Sequence, residues 1–117
     1  MNVIVVDDER FVLSAETMTI KRALPDAQVC SFQRAVEALE FAKDNRVDIA
    51  LLGISKNGTI NLQIANQLKD INPKCTIILC VSYEGNALDE REINDFSCIM
   101  KPITEERLKK VLESYRI

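Results

Sequence analysis

Two carboxylates, Asp7 and Asp8, stand side by side directly after the apolar run Val3–Val6, with Glu9 next in line. Adjacent like charges repel, by roughly 3 kcal/mol at about 5 Å with an effective dielectric near 20. A hard cation such as Mg²⁺ offsets that repulsion, because it takes oxygen ligands from one or two carboxylates plus water. Helix capping is the other use for these acids: Asp8 or Glu9 could serve the N-terminus of a following helix. Much later in the chain, Lys101 stands before Pro102 and just after a second short apolar run. A lysine there can neutralise the acidic pair or bind a phosphoryl oxygen. Ser82 follows the run Cys75–Val81 and offers a hydroxyl. Taken together, these residues make a site for a cation and an anion, provided the fold gathers them.

Other chemistries are excluded by what the chain lacks. It has no histidine, which removes Ser-His and Cys-His catalytic pairs. None of its four cysteines, Cys30, Cys75, Cys80 and Cys98, forms a Cys-x-x-Cys pair, so a zinc site is not expected. Each lies in or beside an apolar run, as small buried hydrophobes of a reducing compartment do. The net charge of −3 comes with scattered basic residues, where direct nucleic-acid binding would call for a basic stripe. No run approaches the roughly 18 apolar residues of a membrane span, and Val3–Val6 is too short for a signal-peptide core. The expectation is a cytoplasmic protein of one domain, residues 1–117, with no membrane contact.

The elements that position the acids and the lysine are legible as alternation. The apolar runs are Val3–Val6, Ala27–Phe32, Asp48–Leu52, Cys75–Val81 and Cys98–Met100. They are apolar nearly throughout, as strands buried on both faces are. Helical patterns fall between and after them, over residues 10–24, 33–44, 60–71, 86–94 and 104–115. The first aligns Leu13, Thr17, Ile20 and Leu24 and stops at Pro25; the last aligns Leu108, Val111, Leu112 and Tyr115 behind a Thr104 N-cap. Five strand–helix repeats imply an α/β fold: a doubly wound, five-stranded parallel sheet with right-handed crossovers and five helices. In such sheets the functional groups gather outside the carboxyl ends of the strands. Asp7, Asp8, Ser82 and Lys101 all lie at such ends, as does the segment from Gly53 onward.

These residues also carry a family resemblance. Val5-Val6-Asp7-Asp8-Glu9, Asp48-Ile49-Ala50-Leu51-Leu52, Val81-Ser82-Tyr83 and Lys101-Pro102-Ile103-Thr104-Glu105-Glu106 resemble, in order and spacing, the receiver domain of bacterial response regulators. The resemblance covers essentially the whole chain. It implies a flavodoxin-like sheet of strand order 2-1-3-4-5 and a place in two-component phosphorelay signalling. It also implies a metal site from Asp7, Asp8 and a backbone carbonyl, that of Ser55, with Ser82 and Lys101 as phosphoryl contacts.

The chain departs from the family where the chemistry starts. The position after the third strand, an aspartate that accepts the phosphoryl group in the family, is Gly53. No acyl phosphate can form on glycine, and one metal carboxylate is lost, so any Mg²⁺ site is weakened. The next loop holds Lys56-Asn57 and Asn61 where the family has Met-Pro and a later glycine. The switch position, commonly aromatic, holds Cys98. The reading is a degenerate receiver, not an enzyme, that meets a protein partner through residues 86–115. That partner would be a sensor kinase, an output domain or a second copy. The alternatives are a phosphorylation-driven receiver with a substitute acceptor, and a domain cut from a DNA-binding transcriptional regulator. A nucleotide or flavin binder is disfavoured, because Asp7-Asp8-Glu9 repels phosphate and no glycine-rich loop follows the first strand. Without a third acid, Lys101 should pair with Asp7 or Asp8 at rest.

Overall fold

Short β-branched runs alternating with amphipathic segments produce the expected layers. The structure is a computed structural model that describes residues 1–54, 59–81 and 96–114. Its elements are β1 (Asn2–Val6), α1 (Arg10–Ala23), β2 (Gln28–Phe32), α2 (Ala35–Asp44), β3 (Ile49–Ile54), α3 (Thr59–Ile71), β4 (Thr76–Val81), β5 (Ser97–Met100) and α4 (Glu105–Ser114). The strands form one parallel sheet in the order β2-β1-β3-β4-β5. There are four helices among the described residues. The fifth expected helix, over residues 86–94, lies outside them, as do Ser55 and Ser82.

Side-chain alternation along the strands sorts the core into two layers. On one face Ile4, Val6, Ala50, Leu52, Ile54, Ile77 and Leu79 meet Ala38 and Ala42 of α2 and Ile64, Ala65 and Leu68 of α3. On the other, Val3, Val5, Ile49, Leu51, Ile78, Cys80 and Ile99 meet Ile20 of α1 and Leu108 and Leu112 of α4. Strands buried on both sides explain why the runs are continuous rather than alternating. Local rules set the ends. Pro25 stops α1, since the residue before a proline is disfavoured in the α region, and the Leu24 N–H closes the last turn on the Ile20 carbonyl at 2.8 Å. The Thr104 hydroxyl caps α4, accepting the Arg107 N–H at 3.2 Å, and Glu105 and Glu106 occupy its first turn.

Two boundaries differ from the sequence reading in ways that matter. The third strand was expected to end at Leu52; it runs on to Ile54, and Gly53 sits inside the ladder opposite Cys80. Buried Ile54 carries the apolar pattern past the glycine, and a glycine inside a strand often marks a close approach by another group. The second helix begins at Ala35, with Arg34 at its N-cap position, two residues later than the pattern suggested. The cysteines are unbridged: Cys75 and Cys80 are buried, while Cys30 and Cys98 are half-buried.

Leu79 is fully buried on β4 in the layer facing α2 and α3. Leu79→Ala should cost about 2–5 kcal/mol, the usual range for a leucine truncated in a packed core. Urea denaturation measures it as a lowered midpoint with an unchanged slope.

Candidate functional site

Strand register builds the site. Val6 of β1 pairs with Leu52 of β3, so the next step sets Asp7 beside Gly53. Gly53 pairs with Cys80 of β4, and Cys80 with Ile99 of β5. Two-residue alternation from Val5, Leu51 and Ile99, all on the α1/α4 face, sends Asp7, position 53 and Lys101 to that same face. The ladder carries one residue past each outer strand end. The Asp7 N–H donates to the Phe32 carbonyl at 3.2 Å, and the Lys101 N–H to the Val81 carbonyl at 2.8 Å.

Asp7 is 1% exposed and both of its carboxylate oxygens are engaged. Oδ1 accepts the Glu9 N–H at 3.0 Å, a local turn that aspartate forms readily. Oδ2 accepts from Lys101 Nζ at 2.9 Å. The lysine side chain is itself only 16% exposed. The expected lysine–acid pair is therefore formed, and Asp7 is the acid. Gly53 makes room for it. A Cβ at position 53 would lie 2.6 Å from Asp7 Cγ and 3.2 Å from Asp7 Cβ, and closer still to Oδ2. The Asp7 carboxylate fills the space that a side chain at 53 would need.

The remaining sequence candidates separate. Asp8 was grouped with Asp7, but it is exposed, and its carbonyl accepts from Gln33 Nε2 at 3.2 Å. Glu9 takes the N-cap position of α1, yet its side chain makes no capping bond. Cys98 is half-buried and packs on the opposite layer, beside α2 and α3. A magnesium ion needs carboxylate oxygens free to face it. Both Asp7 oxygens already accept a hydrogen bond, one of them from the Lys101 ammonium, whose charge opposes an arriving cation, and Asp8 is exposed. The described residues do not fit a resident cation, and no group of three acidic, cysteine or histidine side chains converges among them.

Sequence reasoning missed Glu16. It is 4% exposed on the inner face of α1, where Leu13 and Ile20 lie three residues before and four after. That spacing was a usable signal: a charge on the apolar stripe. Among the described residues no donor reaches either Glu16 oxygen in hydrogen-bonding geometry, although the Asp7 carboxyl and the Cys80 thiol lie beside it. Burial, then the neighbouring Asp7 carboxylate, push the Glu16 carboxyl up to about 8, against a smaller pull from Lys101 and Cys80. Burial works to lower the Lys101 ammonium, but Asp7 outweighs it, with help from Glu16 and Cys80, and the amine ends above its ordinary value. The Cys80 thiol is pushed well above its ordinary value by burial and then by Glu16, which makes it a poor nucleophile.

Comparison with known proteins gives the geometry a context. Residues 3–113 match the response regulator receiver domain. The chain is 28% identical over 116 residues to the sensory transduction protein LytT of Bacillus anthracis, covering 99% of this chain and 47% of that protein. It is 26% identical over 113 residues to the transcriptional regulatory protein YpdB of Escherichia coli K12, covering 97% of this chain and 46% of that protein. The chain thus spans about half the length of these curated relatives. The chemotaxis protein CheY4 of Vibrio cholerae superposes with a TM-score of 0.79 at 19% identity, covering 97% of this chain and 96% of that one. An uncharacterised protein of Neptuniibacter caesariensis reaches 0.82 at 22% identity, covering 97% and 84%.

Two outcomes follow from the site. Lys101→Ala leaves Asp7 buried and uncompensated and should cost about 3–5 kcal/mol, read by urea denaturation at pH 7; an unchanged midpoint would show that the pair contributes nothing. Glu16 binds its proton more tightly folded than unfolded, so its contribution is complete below pH 4.5 and is lost as pH rises to about 8. The fold should weaken as pH rises from 4.5 to about 8, and Glu16→Gln should flatten that slope. With no histidine, no imidazole titration confuses the window.

Proposed function

This chain belongs to the response regulator receiver domain family, and we propose that within it the chain is a degenerate receiver: a protein-interaction module of two-component signalling that takes no phosphate at position 53. One observation carries this reading. The Asp7 carboxylate occupies the space over Gly53 from which an acceptor side chain would project, and it is held there by Lys101. An acyl phosphate needs a carboxylate carbon to receive the phosphoryl group, and glycine supplies none. Lys101, the ammonium suited to a phosphoryl oxygen, is already neutralised. Asp7, the buried acid suited to Mg²⁺, spends its two oxygens on Glu9 and Lys101.

On this reading the resting site is locked, and signalling passes through contacts rather than covalent chemistry. The expected surface, residues 86–115, includes β5 and α4 among its described part. A cleft of about 580 Å³ there is lined by Cys98, Met100, Arg107, Lys110 and Val111 among others. The partner would be a sensor kinase, a second copy or an output domain. The greater length of the relatives, and the name of the Escherichia coli one as a transcriptional regulatory protein, favour an output domain. No helix among the described residues is long and apolar enough to cross a membrane, and placement in the cytoplasm belongs to this proposal.

The test is intact mass after incubation with Mg²⁺ and acetyl phosphate, for the wild type and for Gly53→Asp. The wild type should remain unmodified. The variant should gain a hydroxylamine-labile adduct about 80 Da heavier, the mass of one phosphoryl group. A stoichiometric adduct on the wild type would overturn the reading and point to a substitute acceptor.

A further inference from the structure

We infer that this site has exchanged its divalent cation for an internal one: Lys101 stands in for the metal, and Asp7 and Glu16 form with it a closed cluster that excludes Mg²⁺. The inference concerns what the site binds. It takes from the previous reading only the family's expectation of a metal.

Three independent placements support it. First, a cation site needs converging oxygen atoms with lone pairs to spare. Asp7 Oδ1 is held by the Glu9 N–H at 3.0 Å and Oδ2 by Lys101 Nζ at 2.9 Å, so an ion that reached Asp7 would sit against the lysine ammonium or have to displace it. Second, one carboxylate of the ion's usual company is missing. Asp8 is exposed, and Gly53 brings no carboxylate. Third, a second acid is present but comes from an unexpected direction. Glu16 enters from α1, is buried, and finds no donor for its oxygens. It faces Asp7 from β1, Cys80 from β4 and Lys101 from the turn after β5.

Charge explains why the arrangement holds without metal. Asp7 and Lys101 cancel each other's charge at 2.9 Å. A doubly charged ion entering beside them would meet the lysine head-on. Like-charge repulsion at short range and low dielectric, with the desolvation of the ion, opposes binding. Removing Lys101 reverses that balance: Asp7 is released, Glu16 lies beside it, and two carboxyls remain with no cation of their own.

The experiment compares the wild type, Lys101→Met and Gly53→Asp in EDTA and in increasing MgCl₂, by thermal melting and by amide chemical shifts around Asp7. The wild type should show no saturable shift and no change in Tm at millimolar Mg²⁺. Lys101→Met should melt lower in EDTA and recover by about 5 °C or more as the ion binds. Gly53→Asp, which displaces Asp7 from the space over position 53, should also become Mg²⁺-dependent and serves if Lys101→Met fails to fold. Saturable Mg²⁺ binding by the wild type would overturn the inference even if no phosphoryl adduct ever forms. Indifference of both folded variants to Mg²⁺ would overturn it equally, because Lys101 would then not be what keeps the ion out.

Discussion

The constraint on which the rest of the site depends is the contact between Asp7 and Lys101. β1 and β5 are separated by β3 and β4, and neighbouring strands lie about 4.8 Å apart. No short side chain could join positions so distant. The contact exists because a long lysine reaches inward from one side and the aspartate leans over a residue without a side chain on the other. Gly53 is the condition for that lean. With Asp7 buried, Lys101 mostly so, and the two in contact at 2.9 Å, neither charge is open to outside ligands. The poor fit to a metal follows from this arrangement.

Much of the fold was legible because it depends on patterns the sequence displays directly. The continuous apolar runs fixed the strands, and Pro25 and Thr104 fixed an end and a start of helices. The strand parity that gathers Asp7, Gly53 and Lys101 on one face can also be counted along the chain once the register is known. The lysine–acid pair is expected once the acid that the resemblance places at position 53 is missing. Which acid it chose was not expected, since that depends on parity: Asp7 points to the α1/α4 face, and its neighbour must point elsewhere. The run Asp48–Leu52 and the resemblance both set Gly53 just beyond β3, and only the buried Ile54 behind it extends the ladder.

Glu16 escaped for a different reason. A helix stripe is read from its apolar members, and a charged residue at an inner position is passed over as noise. Here it is the informative one. Burying a carboxyl is costly unless it is neutral or paired, so a charge on an inner stripe asks for an acidic, basic or polar group opposite. β1 supplies one in Asp7, and the turn after β5 another in Lys101. Local propensity carries no information of this kind; it emerges only when two elements are laid face to face.

The Asp7–Lys101 contact also joins residues 94 positions apart in the chain. Such a bond cannot form until β1, β3, β4 and β5 have all found their places, because the closure entropy of so long a loop must be met before the contact contributes. It therefore belongs to the late side of the folding barrier. Interactions absent from the transition state hold back unfolding without hastening folding. The lock that keeps the site closed to ligands is thus also a kinetic clasp: it lengthens the lifetime of the assembled sheet, and whatever opens the site shortens it.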